Sequence, residues 1–218
     1  MKPARILLAD DHEVVRRGLR ALLDSQPQWQ VVGEADNGRD ALRLATSLKP
    51  DVVVLDVGLP QLNGLEAARQ IKVAVPRTRI LILTMYDSER IMRDALNAGV
   101  RGYLLKSDAG RDLVGAVEAL LANKTYFTSK LEDILLERYM SGKGMEPDAE
   151  QPSTQLTTRE REILQLLCEG KSNKEAAAAL GISPKTAEVH RANIMRRLSL
   201  GSFSDLVRYA IRNGIVTP

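Results

Sequence analysis

Short apolar runs alternate with longer stretches of helical period over roughly the first half of this chain. Residues 6–9, 31–35, 52–55, 80–83 and 102–105 are compact hydrophobic segments, the pattern of strands buried on both faces of a sheet. After the first of them Val14, Val15, Leu19, Leu22 and Leu23 recur at helical spacing, and residues 41–48, 65–73, 89–98 and 112–121 repeat that rhythm after each later strand. Strands alternating with helices in this way predict an α/β doubly wound parallel sheet with helices on both faces. Past Leu121 the pattern changes. Residues 129–140 keep enough periodicity, through Leu131, Ile134, Leu135 and Leu136, for a short helix, and residues 141–153 are rich in glycine, proline and acids, which is linker composition. From Leu156 onward the period is helical throughout. The chain therefore divides into residues 1–122, a linker at 123–153, and an all-α segment at 154–218.

Within that last segment, Thr157 or Thr158 reads as an N-cap and Gly170 as a stop. A second helix is expected over residues 172–180, a tight turn at Gly181-Ile182, and a third helix over 185–198 entered through Ser183-Pro184. Two helices joined by a glycine turn, the second polar and basic on one side, form the helix-turn-helix pattern; a small solvated bundle with a charged face would look similar.

Composition narrows the classes. The chain has 218 residues, 44% hydrophobic and 27% charged, which suffices for two globular domains. A single cysteine, Cys168, excludes an intrachain disulfide and a thiolate zinc site, and its place in an apolar run suits a core position. The apolar run at 6–9 is too short for a signal peptide and nothing approaches membrane-spanning length, so a cytoplasmic protein is expected. Residues 1–128 carry 18 basic and 16 acidic side chains, 129–153 carry 3 and 6, and 154–218 carry 10 and 6. The C-terminal segment is the more basic domain per residue, which points to a nucleic-acid partner.

The candidate chemistry lies at the strand ends. Asp10 and Asp11, Asp56, Thr84 and Lys106 each stand at or just past the carboxyl end of an expected strand, on the edge where open α/β sheets bind their ligands. Three carboxylates together repel one another unless a cation intervenes, and Mg²⁺ prefers such oxygen donors. Lys106 adds a fixed positive charge and Thr84 a hydroxyl. Metal, ammonium, hydroxyl and loop N–H groups are the parts needed to hold a phosphoryl group on Asp56.

On these residues, with Pro60, Gly64 and Tyr103, the segment 1–122 resembles the receiver domain of two-component response regulators, a flavodoxin-like (βα)₅ fold. The resemblance implies that Asp56 takes a phosphoryl group from a sensor histidine kinase. It implies that Asp11, Asp56 and the backbone carbonyl of Gly58 hold Mg²⁺, with Asp10 acting through water. Thr84 and Tyr103 would form a switch pair. His12 is expected to face solvent. Met85, bulkier than the small residue many receivers carry there, either lies over the site and gates access or packs under the next loop.

The segments Leu156 to Leu164, Gly170 to Glu175 and Leu180 to Thr186, with His190-Arg191 and Leu198, resemble the LuxR-type four-helix DNA-binding domain. Together the two resemblances place the chain with the NarL/FixJ class. They imply base-facing positions at Glu188, Val189 and Ala192 of the third helix, and phosphate contacts at Lys174, Lys185, Thr186, Arg191 and Arg196. Ala176 and Ala187 depart from the usual isoleucine and valine and are expected to pack. A fourth helix over 202–213 would carry the dimer contact of the DNA-bound form through residues such as Leu206. The implied partners are the kinase, double-stranded DNA, a second copy of the phosphorylated chain and RNA polymerase, with no membrane and no enzymatic activity beyond the receiver's own phosphorylation and dephosphorylation. Two rivals stand beside this reading. One is a phosphorylation-independent DNA-binding regulator. The other is an aspartyl-phosphate phosphatase, disfavoured because Gly58 occupies the position where such enzymes carry a second aspartate.

Overall fold

The computed structural model describes residues 2–85, 87–127 and 156–216. They fall into two compact units, one within residues 1–145 and one within 146–218. The first is built from β1 (Ala4–Ala9), α1 (Glu13–Asp24), β2 (Trp29–Ala35), α2 (Gly38–Leu48), β3 (Val52–Asp56), α3 (Gly64–Ala74), β4 (Arg79–Thr84), α4 (Glu89–Asn97), β5 (Gly102–Leu105), a 3₁₀ turn at Lys106–Asp108, and α5 (Ala109–Leu121). All five strands are parallel, in the order β2-β1-β3-β4-β5. The chain starts in the interior, turns outward to β2 and then crosses to β3. The reversal therefore lies between β1 and β3, where doubly wound folds open a crevice at the strand ends.

The alternation along each strand separates two cores. Leu7, Val53, Leu55, Ile80, Ile82 and Tyr103 meet the buried faces of α2, α3 and α4, including Ala41, Ala45, Ile71 and Met92. Ile6, Leu8, Val52, Val54, Leu81 and Leu83 meet α1 and α5 through Leu19, Leu23, Leu113 and Leu120. The successive valines of β3 thus feed both layers, which is why that strand lacks a polar residue until Asp56. Trp29, the chain's single tryptophan, is buried in the second layer. Each large side chain in these layers is worth about 2–5 kcal/mol against truncation to alanine.

The second unit contains α6 (Thr158–Cys168), α7 (Asn173–Leu180), α8 (Pro184–Arg197) and α9 (Phe203–Arg212). Polar caps set its helix starts. Thr157 and Glu160 form a capping box on α6, Ser172 and Glu175 another on α7, and Ser183 caps α8 ahead of Pro184 at its first position. Gly181, in the left-handed region at φ 64°, ends α7 and makes the turn into α8. The core is formed by Ile163, Leu164, Leu167, Ala176, Leu180, Ile194, Leu206 and Ala210. Arg197 donates to the buried Glu160 at 2.8 Å, fastening the end of α8 to the start of α6.

Ala176 and Ala187 are buried, as packing positions should be. Leu206 is not the dimer contact expected of it. Its side chain is fully buried among α6 and α8 residues, because it lies on the apolar stripe of α9 with Ala210. The apolar side chains that α9 leaves exposed are Phe203 and Ile211. The short helix expected over residues 129–140 lies outside the described residues.

Candidate functional site

The register of β1 and β3 assembles the carboxylates. Ala9 pairs with Leu55, so one residue further stand two aspartates side by side, Asp10 just past the end of β1 and Asp56 as the last residue of β3. Lys106 Nζ lies 2.7 Å from Asp10 Oδ2 and 2.8 Å from Asp56 Oδ2, bridging the two. All three side chains are at least nine-tenths buried. Burial pushes the Asp56 carboxyl above the usual carboxylate range; Lys106 and a backbone hydrogen bond from Gly58 pull it back, and Asp10 adds to the rise. Burial opposes the charge on Lys106, but the two carboxylates outweigh it and raise the ammonium above the ordinary lysine range.

Asp10 is held on several sides. Its Oδ1 accepts the His12 N–H at 2.9 Å, its own N–H reaches the Ala35 carbonyl at 3.1 Å, and its carbonyl accepts from Arg16 at 2.7 Å. Arg16 in turn pairs with Glu34 on β2 at 3.3 Å, so α1 and β2 together brace the acidic loop. The expectations gave no role to Arg16, whose signal in sequence is only a half-buried arginine position on α1. Asp11 lies nearer solvent, and the exposed His12 places Nδ1 2.7 Å from Asp11 Oδ1. One ligand atom from each of Asp10, Asp11, His12 and Asp56 comes within 4.8 Å of the others. Three carboxylates, two of them buried, form an oxygen-rich donor set that suits a hard divalent cation such as Mg²⁺.

The loop after β3 closes over this corner by backbone contact. A Cβ on Gly64 would stand 1.9 Å from the Asp56 carbonyl oxygen, and the Gly64 N–H reaches the Val57 carbonyl at 2.9 Å. Gly38 is pressed in the same way, its would-be Cβ 1.7 Å from the Leu62 carbonyl while its N–H donates to Pro60. Asn63 caps α3 through the Glu66 N–H at 2.9 Å. Gly38 was missed from sequence, since an isolated glycine before a helix says nothing of a loop distant in the chain.

Thr84 ends β4, one position beyond the Asp56–Leu83 pair, and is fully buried. Tyr103 is buried too, its ring in the first core layer, and burial followed by the nearby Asp87 carboxylate raises its hydroxyl far above the ordinary range. Met85, directly after Thr84, is 71% exposed and is not packed beneath the next loop.

The second unit gathers its expected contacts on one face. Lys185, Glu188, Val189, Ala192 and Arg196 follow one another at helical spacing on α8 and are all exposed, Val189 at 49% despite being apolar. Ala187 and Ile194, on the opposite side, are buried. Lys174 and Thr186 are exposed at the first turns of α7 and α8. Lys185 lies 3.6 Å from Glu188, and Arg196 donates to Asn193 at 2.9 Å. Arg191 departs from the group. It is half-buried, its guanidinium 5.6 Å from the centre of the Phe203 ring, so it also ties α8 to α9.

Residues 6–118 match the family described as the response regulator receiver domain, and residues 154–210 match the bacterial regulatory proteins of the luxR family. The transcriptional regulatory protein MctR of Rhizobium johnstonii is 36% identical over 214 residues, spanning 98% of this chain and 95% of that protein. The oxygen regulatory protein NreC of Staphylococcus carnosus is also 36% identical, over 97% of this chain and 99% of its own length. Among solved structures, RcsB from Salmonella enterica serovar Typhimurium, bound to promoter rprA with the phosphomimetic BeF₃⁻, superposes with a TM-score of 0.61 at 26% identity, covering 95% of this chain and 98% of that one.

Proposed function

Because the chain belongs to the two-component response regulators of the NarL/FixJ class, with a receiver and a LuxR-type DNA-binding domain, we propose that Asp56 is its phosphoacceptor and that a phosphoryl group there controls DNA binding by α8. The observation that carries this reading is the buried bridge of Lys106 between Asp10 and Asp56 at the topological switch point. A buried carboxylate held beside an ammonium is oriented for attack on phosphorus, and the same ammonium then faces the new phosphoryl oxygens. Asp10, Asp11, Asp56 and the Gly58 carbonyl are the residues that would hold Mg²⁺, which when bound neutralises charge on the phosphoryl oxygens. Thr84 supplies a hydroxyl and Tyr103 the ring that responds to it. Met85, exposed beside Thr84, gates access from solvent.

The phosphoryl donor in this reading is a sensor histidine kinase, and residues 123–153 link the receiver (1–122) to the DNA-binding domain (154–218). Phosphorylation shifts the population toward a homodimer that grips paired half-sites in double-stranded DNA and acts on RNA polymerase. Lys174, Lys185, Thr186, Arg191 and Arg196 meet phosphates, while Glu188, Val189 and Ala192 face base edges. No helix among the described residues is long and apolar enough to cross a membrane, which fits a cytoplasmic regulator. The test is incorporation of labelled phosphate from a small phosphodonor with Mg²⁺. Wild type is expected to reach about one phosphoryl group per chain and Asp56→Asn none. Full labelling of the variant would move the phosphoacceptor elsewhere.

A further inference from the structure

The edge of the sheet opposite Asp56 has a charge pattern that phosphorylation does not use. The loops that lead into the strands there contribute Lys49, Arg77 and Arg101, the segment after α5 adds Lys124, all four exposed, and β4 begins with Arg79. Among the residues of those loops, 25–28, 49–51, 75–78, 98–101 and 122–125, the one acid is Asp51, whose carboxylate already accepts the Arg5 N–H at 2.8 Å. Lys49, Arg77 and Lys124 have no side-chain hydrogen bond or ion pair among the described residues, and Arg79 Nε is buried without a hydrogen-bond partner. The cations stand close enough to feel one another. Burial, then the guanidinium groups of Arg101 and Arg79, hold Lys72 below the ordinary lysine range.

Helix ends account for part of the pattern, since Lys49 is the C-cap residue of α2 and the Lys124 N–H caps the Ala119 carbonyl at the end of α5, but not for Arg77, Arg79 and Arg101. The carboxyl ends of the helices also lie at this edge and would favour cations in their last turns. Within the last helical turns only α3 has one, Lys72, whereas α1, α4 and α5 carry Asp24, Asp94 and Glu118 there, so the excess of cations comes from the loops. Arg101 has a structural bond, to the Asn123 carbonyl at 3.3 Å, but the others do not. Neighbouring strands lie about 4.8 Å apart, so cations at the starts of β3, β4 and β5 spread over roughly 10 Å, the axial length of about three phosphates on one strand of a duplex. The chain also returns to this edge after α5, where Tyr126 pairs with Gly102.

We propose that this amino-terminal edge of the receiver is a second nucleic-acid contact, holding the phosphate backbone of duplex that flanks the half-sites read by α8. The contact is sequence-independent, and tethering to the DNA-binding domain raises its effective concentration. It stands on the chain's membership of a DNA-binding family and not on the assignment of Asp56.

The test uses the full-length protein and a duplex obtained by binding-site selection, prepared in a short form that just spans the half-sites and a long form extended on both flanks. The dissociation constant is followed against salt. Wild type is expected to show a steeper salt dependence on the long duplex, by about two in the log–log slope for two to three phosphates engaged. Lys49→Gln/Arg77→Gln/Lys124→Gln should lose that length dependence while binding the short duplex as wild type does. Lys49→Arg/Arg77→Lys/Lys124→Arg should keep it. Equal slopes on the two duplexes in wild type, or a length dependence that survives in the glutamine variant, would overturn the proposal. So would charge-dependent binding to vesicles containing anionic lipid with no effect of duplex length, which would make the edge a membrane contact. Loss of labelling at Asp56 would leave this result untouched.

Discussion

Lys106 is the residue on which the site's electrostatics turn, because its single positive charge is shared by two buried carboxylates. Lys106→Met leaves Asp10 and Asp56 facing each other without a cation, and should cost about 3–5 kcal/mol of stability in the absence of metal. Mg²⁺ should restore part of that loss, giving the variant a larger metal-induced rise in denaturant midpoint than wild type. A variant as stable as wild type would show that the bridge contributes nothing to the fold. The same residue sets a pH dependence. In the metal-free protein the Asp56 carboxyl keeps its proton to higher pH than an ordinary carboxylate near 3.9, because burial outweighs the pull of Lys106. Lys106 is the main cation that lowers this pKa, so the titration of the Asp56 carboxyl, followed by NMR without Mg²⁺, should move higher in Lys106→Met. Raised folded pKa of a carboxylate also means that the folded state binds this proton more tightly than the unfolded chain does. Ionised Asp56 therefore subtracts stability as pH rises through that pKa.

At the scale of elements, α8 separates into a face that packs and a face that is free. Arg196→Gln should weaken binding to all duplexes alike and lower the salt slope by about one, whereas Glu188→Gln should change preference at one base pair per half-site by roughly 1–3 kcal/mol. Binding-site selection on both variants distinguishes them, and a Glu188→Gln protein that binds every sequence more tightly would make that carboxylate an electrostatic brake. Arg191 is the less informative phosphate contact to remove, since its stacking on Phe203 adds about 0.5–1 kcal/mol to the packing of α8 on α9. All the strands and the helix-turn-helix were legible in the hydrophobic period, because β3 and its neighbours are buried on both faces and the caps of α6 to α8 are written in Thr157, Ser172 and Ser183. The expected start of α5 at Asp112 falls three residues late, because Lys106–Asp108 first makes a 3₁₀ turn that carries the chain straight into the helix at Ala109. The acidic corner was readable too, as polar residues placed at strand ends. What local pattern could not supply was contact between distant segments: the brace of Arg16 on the Asp10 carbonyl, the pressing of Gly38 on the Leu62 carbonyl, and the burial of Leu206, whose stripe on a short helix looks the same whether a core or a partner covers it.

For the molecule as a whole, each of the two units has its own hydrophobic core, so thermal unfolding should proceed in two transitions and not one. Beryllofluoride with Mg²⁺ should raise the receiver's transition, by roughly 2.7 kcal/mol at about a hundredfold excess over Kd, and leave the other in place unless the units are coupled. Calorimetry with and without the ligand checks this, and one transition that shifts as a whole would show that the units melt together. The position of Trp29 makes the experiment possible by optical means. As the only indole in the chain, and one sealed in the receiver's second core layer, it gives an emission signal that belongs to that domain alone. Excitation at the red edge of the protein's absorbance thus isolates the receiver in the intact regulator, without a dye, a fusion or a truncated chain. Coupling to the DNA-binding domain would then appear as a shift in the temperature at which this one fluorophore melts when operator duplex is added.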